Sequence, residues 1–236
     1  LSQEAVMRLA ENYETPLLVL SIEQIEKNYL FLKKHLPGVK IHYAMKANPD
    51  LRILERLSEL DSCFDVASDG EIRTLSELGI DGQRLIYANP IKTAAGFRAC
   101  ADAGVSRMTF DSETEITKIA KECPGATVLL RLRIDNAQAH VDLNKKFGAP
   151  REKALALLTA AQAAGLDAAG IAFHVGSQTV LADPYLEALD TVRQLFDEAK
   201  KTTSLNLRVV DIGGGFPIPA PGVRFNLSTM LAQIQA

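Results

Sequence analysis

Short apolar runs recur along the chain, and each is followed by a segment whose apolar positions have helical spacing. The runs lack strict alternation of apolar and polar residues, so they predict strands that are buried on both faces. The predicted strands are 17–20, 39–45, 63–67, 84–88, 107–110, 127–134, 169–175 and 207–212. The predicted helices are 50–60, 70–78, 93–103, 112–121, 151–164 and 183–200. This alternation predicts an α/β fold in which helices cover a parallel sheet.

Several predicted helices carry recognisable boundary signals. Gly79, Gly104 and Gly165 each follow a helical segment, as glycines in left-handed caps do. Ser112 and Glu115 have the spacing of a capping box. Residues 135–150 form the longest break between predicted elements, and such loops in compact domains are often functional.

Polar or glycine residues end nearly every predicted strand after the first. An open doubly wound sheet gathers its ligand groups at one crevice, whereas a barrel draws them from many strand ends. The repeated polar ends therefore favour a TIM-type (β/α)8 barrel, although only seven strands remain once 17–20 is set apart. We expect residues 1–38 to be an N-terminal strand and helix that lead into a barrel formed by residues 39–236.

Composition limits the ligand classes. The chain has 236 residues, of which 47% are hydrophobic and 23% charged, with a net charge of −3. Without a basic run or a long apolar segment, neither nucleic acid nor a membrane is the expected partner, and a small molecule is. Cys63, Cys100 and Cys123 lack disulfide-framework and metal-ligand spacing, which predicts reduced thiols in a cytoplasmic protein without a metal site.

Two side chains at strand ends are candidates for covalent or stacking chemistry. Lys46 ends an apolar strand, where a partly desolvated amine suits Schiff-base chemistry, although a surface lysine gives the same pattern. His174 also follows an apolar strand and is either a hydrogen-bonded core residue or a ring stacked on a ligand. The following Gly176 and Ser177 favour the ligand, because they permit close approach and anion binding.

Three consecutive glycines, Gly213, Gly214 and Gly215, follow the last predicted strand. They form either a tight turn or a phosphate cradle, and in a barrel the loops after the last two strands are the usual phosphate site. An amine, a flat ring and a phosphate cradle together predict pyridoxal phosphate, whose aldehyde, ring and phosphate match them.

Arg131 and Arg133 alternate with apolar residues, so both are predicted to point to the same side of their strand. An arginine that faces a barrel interior needs an anion to compensate its charge. Asp65 is a candidate for that anion, or for a partner of Lys46, and a purely structural ion pair is the alternative.

With these residues assembled, the chain resembles the fold-type III pyridoxal-phosphate decarboxylases of basic amino acids, the ornithine, lysine, arginine and diaminopimelate decarboxylase family. The motif YANPIK and the motif DIGGGFP look more like the ornithine and lysine decarboxylases, and the bacterial enzymes in particular. The motifs run in order along nearly the whole chain: YAMKAN at 43–48, FDVASDGE at 64–71, YANPIK at 87–92, TFDS at 109–112, KFG at 146–148, FHVGSQ at 173–178 and DIGGGFP at 211–217.

The resemblance implies an alanine racemase-like barrel and a role for each candidate residue. By position, Lys46 forms the Schiff base and His174 stacks on the cofactor ring. Ser177 and the three glycines bind the phosphate. The pocket is lined by Asp65, Ala67, Glu71 and Arg131.

The implied function is decarboxylation of lysine or ornithine to cadaverine or putrescine, in polyamine biosynthesis. The implied assembly is a cytoplasmic homodimer with shared active sites. Diaminopimelate or arginine decarboxylation is the alternative within the family. A decarboxylase-like protein that binds a partner without catalysis is the alternative from another class.

The sequence departs from the family where it stops, at Ala236. The family continues with a strand that carries Glu-Pro-Gly-Arg and with a C-terminal β-domain. A barrel that lacks one strand has two unpaired edges and an open core. We therefore expect these 236 residues to be part of a longer polypeptide.

Overall fold

The computed structural model describes residues 2–134, 147–219 and 222–236 of the chain. Within these ranges, strands alternate with helices from residue 42 onwards. The strands are β1 (His42–Ala44), β2 (Cys63–Val66), β3 (Leu85–Tyr87), β4 (Arg107–Phe110), β5 (Thr127–Arg131), β6 (Asp167–Ala172) and β7 (Val209–Asp211). The α-helices are α1 (Gln3–Asn12), α2 (Ile22–His35), α3 (Leu51–Glu59), α4 (Asp69–Glu77), α5 (Ala94–Ala103), α6 (Glu113–Glu122), α7 (Arg151–Ala163), α8 (Asp183–Thr202) and α9 (Leu227–Gln235).

The seven strands form one parallel sheet in their order along the chain, from β1 to β7. Parallel neighbours need crossover connections, and the intervening helices supply them. Phe64 and Val66 of β2 are fully buried, while the alternate residues Cys63 and Asp65 are half-buried, so β2 turns alternate side chains to the helices and to the interior. The predicted α/β class is confirmed.

The sheet curls into an arc. A flat sheet would separate β2 from β7 by about 24 Å, because adjacent strands lie about 4.8 Å apart. Yet burial raises the pKa of Asp65 on β2, and the Asp211 carboxylate of β7 is close enough to raise it further. Ile86 of β3 and Leu129 of β5 also pack in one cluster across the intervening strand. The curl confirms the barrel-type fold over the open sheet, with seven strands in the described part of the chain.

The helical layer continues around the arc. Helix α2, which precedes β1, contacts both α3 and α9, so the helices that flank the two ends of the sheet meet. Tyr29 of α2 and Met230 of α9 are buried in the same hydrophobic core. This contact fixes the positions of β1 and β7 relative to one another.

The predicted strand at residues 17–20 is wrong. These residues form no strand, and Leu18 is 81% exposed. An apolar run becomes a strand only where another strand satisfies its N–H and C=O groups, and in the described chain none lies beside this one. All the other predicted strands except 107–110 are shorter than expected, and the difference is largest at 39–45, 127–134 and 207–212, which contain β1, β5 and β7.

Gly79, Gly104 and Gly165 have φ values of +73°, +71° and +83°, which confirms the predicted left-handed helix ends. The capping box predicted for Ser112 and Glu115 is wrong. Ser112 occupies the N-cap position of α6, but its side chain accepts no hydrogen bond there. The Glu115 carboxylate is occupied elsewhere, because it binds the buried Lys92 and the partly exposed Lys118.

Those lysines form a charge cluster with Glu115, in which Lys92 and Glu115 are buried and Lys118 is partly exposed. The Lys92 side chain is 0% exposed, and its Nζ lies 3.1 Å from one Glu115 oxygen. Lys118 Nζ lies 2.5 Å from the other oxygen. Lys92 Nζ also donates to the main-chain oxygens of Thr109 at 2.6 Å and Asn89 at 3.1 Å. The cluster therefore ties the loop after β3 to β4 and α6, at the carboxyl ends of the strands.

Close packing of β6 against β7 depends on a glycine. Gly170 pairs with Val209 of β7, and a Cβ atom on Gly170 would lie only 1.8 Å from the Val209 carbonyl oxygen. Any larger residue would push the two strands apart, and the loop after β7 would move with its strand.

We expect Gly170→Ala to lower the free energy of unfolding by about 1–3 kcal/mol, the usual cost of overpacking. Gly70→Ala is the matched control, because its Cβ would lie 3.9 Å from the nearest atom, the Ser68 hydroxyl oxygen. In helix α4, alanine should be neutral or slightly stabilising. Urea unfolding of both variants measures the difference, and equal stabilities would contradict the close approach.

Candidate active site

Four of the predicted site residues lie at the carboxyl ends of different strands. Lys46 stands in a short 3₁₀ turn directly after β1, and Asp65 is the third residue of β2. Arg131 is the last residue of β5, and His174 follows β6 by two residues. Because parallel strands share one carboxyl edge, these side chains meet at the same rim.

The four side chains act on one another electrostatically. Burial raises the pKa of Asp65 to about 7, and the positive charges of Lys46 and Arg131 oppose that rise. A carboxyl group with such a pKa exists in both protonation states near neutral pH. Burial and the same two cations lower the pKa of His174. The structure therefore brings together the predicted lysine, aspartate, arginine and histidine.

His174 is a neutral ring with a defined tautomer. Burial, Arg131 and Lys46 together lower its pKa to about 4. Its Nδ1 accepts the main-chain N–H of Gly176 at 2.9 Å, so the ring proton lies on Nε2. Among the described residues, Nε2 has no hydrogen-bond partner, and the ring is only half-buried, which favours the ligand-stacking alternative for this histidine.

Lys46 is exposed, and its ammonium makes no hydrogen bond or ion pair with any residue that the structure describes. The predicted partial desolvation is therefore wrong for the lysine itself. The reason is local, because the chain leaves β1 in a turn that carries Lys46 out of the packed sheet. An amine without a competing partner is nonetheless accessible to an aldehyde.

Arg131 and Arg133 differ in exposure. Leu130, Leu132 and Ile134 are buried, whereas Arg131 is half-buried and Arg133 is exposed, so the alternation continues past the end of β5 and agrees with the prediction that both arginines point to the same side. Burial lowers the pKa of Arg131, while the carboxylates of Asp211, Asp65 and Asp111 oppose that shift. Arg131 is thus the interior arginine, and three carboxylates compensate its charge.

Ala67 and Glu71 are joined by a hydrogen bond. The Ala67 N–H donates to Oε2 of Glu71 at 2.6 Å, and Ser68 between them caps helix α4 by accepting the Glu71 N–H. The Glu71 carboxylate is therefore held against the end of β2, next to Asp65. These two predicted pocket residues form one local unit at the rim.

The loop after β7 contains the predicted glycine cradle. Gly213 and Gly215 have φ values of +65° and +99°, and a Cβ on Gly215 would lie 2.0 Å from the Gly176 oxygen. The space beside Gly214 is open, since a Cβ there would meet no atom within 4 Å. Among the described residues, no acceptor binds the N–H groups of Gly214 and Gly215 or the Ser177 hydroxyl. Free donors around open space fit the phosphate of the predicted cofactor.

Asp211 and Asp111 belong to the site, although the sequence assigned them no role. Asp211 ends β7, and its Oδ1 accepts the Gly213 N–H at 2.8 Å. Asp111 follows β4 and accepts the Gly148 N–H at 2.9 Å. Both were visible in the sequence as polar strand ends, but their partners come from the loops after β7 and β5.

Other predicted features lie partly outside the described residues. Lys146 of the KFG motif and the part of the candidate loop at 135–146 are among the residues not described. Within the described ranges, no group of three or more His, Cys, Asp or Glu is arranged to hold a metal ion. In those same ranges, none of the helices combines the length and apolarity needed to cross a membrane.

Comparison with known proteins gives consistent matches. The family model of the pyridoxal-dependent decarboxylase, pyridoxal binding domain, matches residues 22–234. The lysine/ornithine decarboxylase of Selenomonas ruminantium is 53% identical over 235 residues, which are 99% of this chain and 60% of that protein. Antizyme inhibitor 2 of Xenopus laevis is 36% identical over 199 residues, which are 84% of this chain and 43% of that protein.

A solved structure matches equally well. The crystal structure of SrLDC in complex with PLP and cadaverine has a TM-score of 0.93 and 50% sequence identity with this chain. The match covers 100% of this chain and 60% of that one. The matches therefore span about three fifths of the Selenomonas enzyme and 43% of antizyme inhibitor 2.

The electrostatic link between Lys46, Asp65 and His174 predicts a paired response. Lys46→Met removes a positive charge that lowers both pKa values, so we expect the pKa of Asp65 to rise above about 7 and that of His174 above about 4. NMR titration of the cofactor-free protein measures both. Lys40→Met is the control. It removes the same charge, but Lys40 is not among the groups that shift the pKa of Asp65 or His174. Lys40 contributes instead to the lowered pKa of His42, after burial. If the pKa of Asp65 or of His174 is the same in Lys46→Met as in the wild type, Lys46 does not lie close to both side chains.

Proposed function

Because the chain belongs to the pyridoxal-dependent decarboxylase family, we propose that it binds pyridoxal 5′-phosphate at the carboxyl ends of its strands. We propose that the protein decarboxylates a basic L-amino acid, lysine or ornithine, to cadaverine or putrescine in polyamine biosynthesis. One observation carries this proposal: an amine, an aromatic ring and a glycine loop lie together. The Lys46 charge helps to lower the pKa of His174, so the two side chains are near one another. The His174 ring lies beside the glycine loop, whose N–H groups at Gly214 and Gly215 have no acceptor among the described residues.

Each site residue has a proposed role toward the cofactor. Lys46 is the amine that bonds the aldehyde, because among the described residues no hydrogen-bond or ion-pair partner engages its ammonium. The His174 ring stacks on the cofactor ring. The phosphate is held by Ser177, Gly213, Gly214 and Gly215. The pocket wall is formed by Asp65, Ala67, Glu71 and Arg131.

The protonation states of these residues suit the reaction. When bound, the cofactor supplies the electron sink for loss of the carboxylate. His174 stays uncharged because burial, Arg131 and Lys46 lower its pKa to about 4, so its ring adds no positive charge to the site. Asp65, with a pKa near 7, can hold a proton close to Lys46. Arg131 keeps its charge and offsets the carboxylates around it.

Two alternative functions are distinguishable. Diaminopimelate or arginine decarboxylation would use the same cofactor groups, so only the product identifies the substrate. A non-catalytic binding protein has some support from the 36% identity to antizyme inhibitor 2. The intact set of Lys46, His174 and the glycine loop favours the enzyme, because a protein that only binds a partner does not need them.

The remaining proposals concern the whole protein. We propose a cytoplasmic homodimer with shared active sites, as the family resemblance implies. The three cysteines are free thiols, which suits a reducing compartment. We also propose residues 1–38 as an N-terminal segment that leads into the barrel of residues 39–236.

The role of Lys46 is tested by Lys46→Ala in the protein at its natural length. We expect loss of the cofactor absorbance near the visible edge and loss of cadaverine and putrescine formation, since Lys46 is the amine proposed to bond the aldehyde. Lys40→Ala, another exposed lysine, is the control and should keep both signals. Incubation with lysine, ornithine, arginine and diaminopimelate identifies the substrate. An absorbance band that survives in Lys46→Ala assigns the cofactor to another lysine.

A further inference from the structure

Tyr185 is a buried tyrosine whose hydroxyl contacts the glycine loop. It lies in the first turn of α8 and is fully buried. Its hydroxyl donates a hydrogen bond to the main-chain oxygen of Gly214, with 2.9 Å between the two oxygens. Burial raises the pKa of this phenol above its ordinary value, so the hydroxyl stays protonated. It is therefore a permanent donor to the loop.

Two further contacts hold the carbonyl side of the loop in place. The Tyr185 ring stacks on Phe216, with 5.3 Å between ring centroids and an angle of 9° between the rings. The Thr179 N–H donates to the main-chain oxygen of Gly215 at 2.9 Å. Both glycine carbonyls are thus turned toward α8 and the loop after β6.

The hydrogen bond from Tyr185 sets the direction of the next N–H group. In a trans peptide, the C=O of one residue and the N–H of the following residue point in opposite directions. The Gly214 C=O points to Tyr185, so the Gly215 N–H points away from α8. A Cβ on Gly215 would lie 3.3 Å from Cε1 of His174, so this glycine adjoins the ring that is proposed to stack on the cofactor.

We propose that Tyr185 is a positioning residue for phosphate binding: its hydroxyl fixes the peptide between Gly214 and Gly215 so that the Gly215 N–H donates to the cofactor phosphate. The proposal rests on the proposed function. Glycine restricts its backbone little, so without the hydroxyl this peptide rotates and the donor loses its direction. Hydrogen bonds to a charged phosphate are strong, so that loss is measurable.

The test compares a ligand that has the phosphate with one that lacks it. Tyr185→Phe and the wild type, each at natural length and stripped of cofactor, are titrated with pyridoxal phosphate and with pyridoxal. We expect the affinity of the variant for pyridoxal phosphate to fall about tenfold, and its affinity for pyridoxal to stay unchanged. Tyr29→Phe is the matched control, a buried tyrosine on α2, and should change neither affinity.

Different results separate the two proposals. Equal losses for both ligands would mean that Tyr185 only supports the fold, and an unchanged affinity for pyridoxal phosphate would overturn the proposal as well. If the wild type binds neither ligand, the proposed function falls, and this inference falls with it. Phe216→Leu keeps the hydroxyl but removes its stacking partner. It should give a smaller loss confined to pyridoxal phosphate, and it serves as the test if Tyr185→Phe does not fold.

An amide signal gives a readout that does not depend on a variant. Inorganic phosphate, titrated into the cofactor-free wild type with ¹⁵N-labelled glycine, should shift the Gly215 amide resonance. The Gly213 resonance should move less, because that N–H already donates to Asp211. Absence of a Gly215 shift would contradict the proposed direction of the donor.

Discussion

Seven strands that run parallel and pair in chain order bring seven carboxyl ends to one rim. The site depends on this arrangement, because each strand contributes only one or two of its groups. The curl of the sheet adds a second effect, since it brings the ends of β2 and β7 within electrostatic reach although five pairings separate them. Residues that are distant along the chain therefore share one small volume, and their charges decide one another's protonation.

The charged side chains at this rim must compensate one another, because several of them are partly removed from water. Arg131 stands among three carboxylates, and no single one neutralises it. Lys46 adds a second cation that stabilises the ionised form of Asp65 and disfavours a charged His174. The result is a rim with a neutral ring, a carboxyl group that titrates near neutrality and an amine that has no hydrogen-bond or ion-pair partner among the described residues. Burial and neighbouring charge produce the first two states, whereas Lys46 lies exposed.

Local sequence patterns predicted the features that depend on neighbouring residues, namely most strands and the helix ends. Seven of the eight strands predicted from apolar runs are present, and Gly79, Gly104 and Gly165 end helices as predicted. Predictions failed where a distant partner decides. Residues 17–20 have strand composition but no strand to pair with, and Glu115 has capping spacing but binds Lys92 instead. In the sequence, Tyr185 looks like an ordinary core residue of a helix. Its hydrogen bond could not be predicted, because the acceptor, the Gly214 carbonyl, belongs to the loop after the next strand.

The cluster of Lys92, Glu115 and Lys118 has a consequence for sequence evolution. Two lysines share one carboxylate, and main-chain oxygens at the ends of β3 and β4 accept further hydrogen bonds from Lys92. A lineage that replaced Glu115 would leave the fully buried Lys92 ammonium without its counter-charge, whereas Lys118 can turn to solvent. We therefore expect positions 92 and 115 to change together, which links the YANPIK motif to helix α6 of the next βα unit.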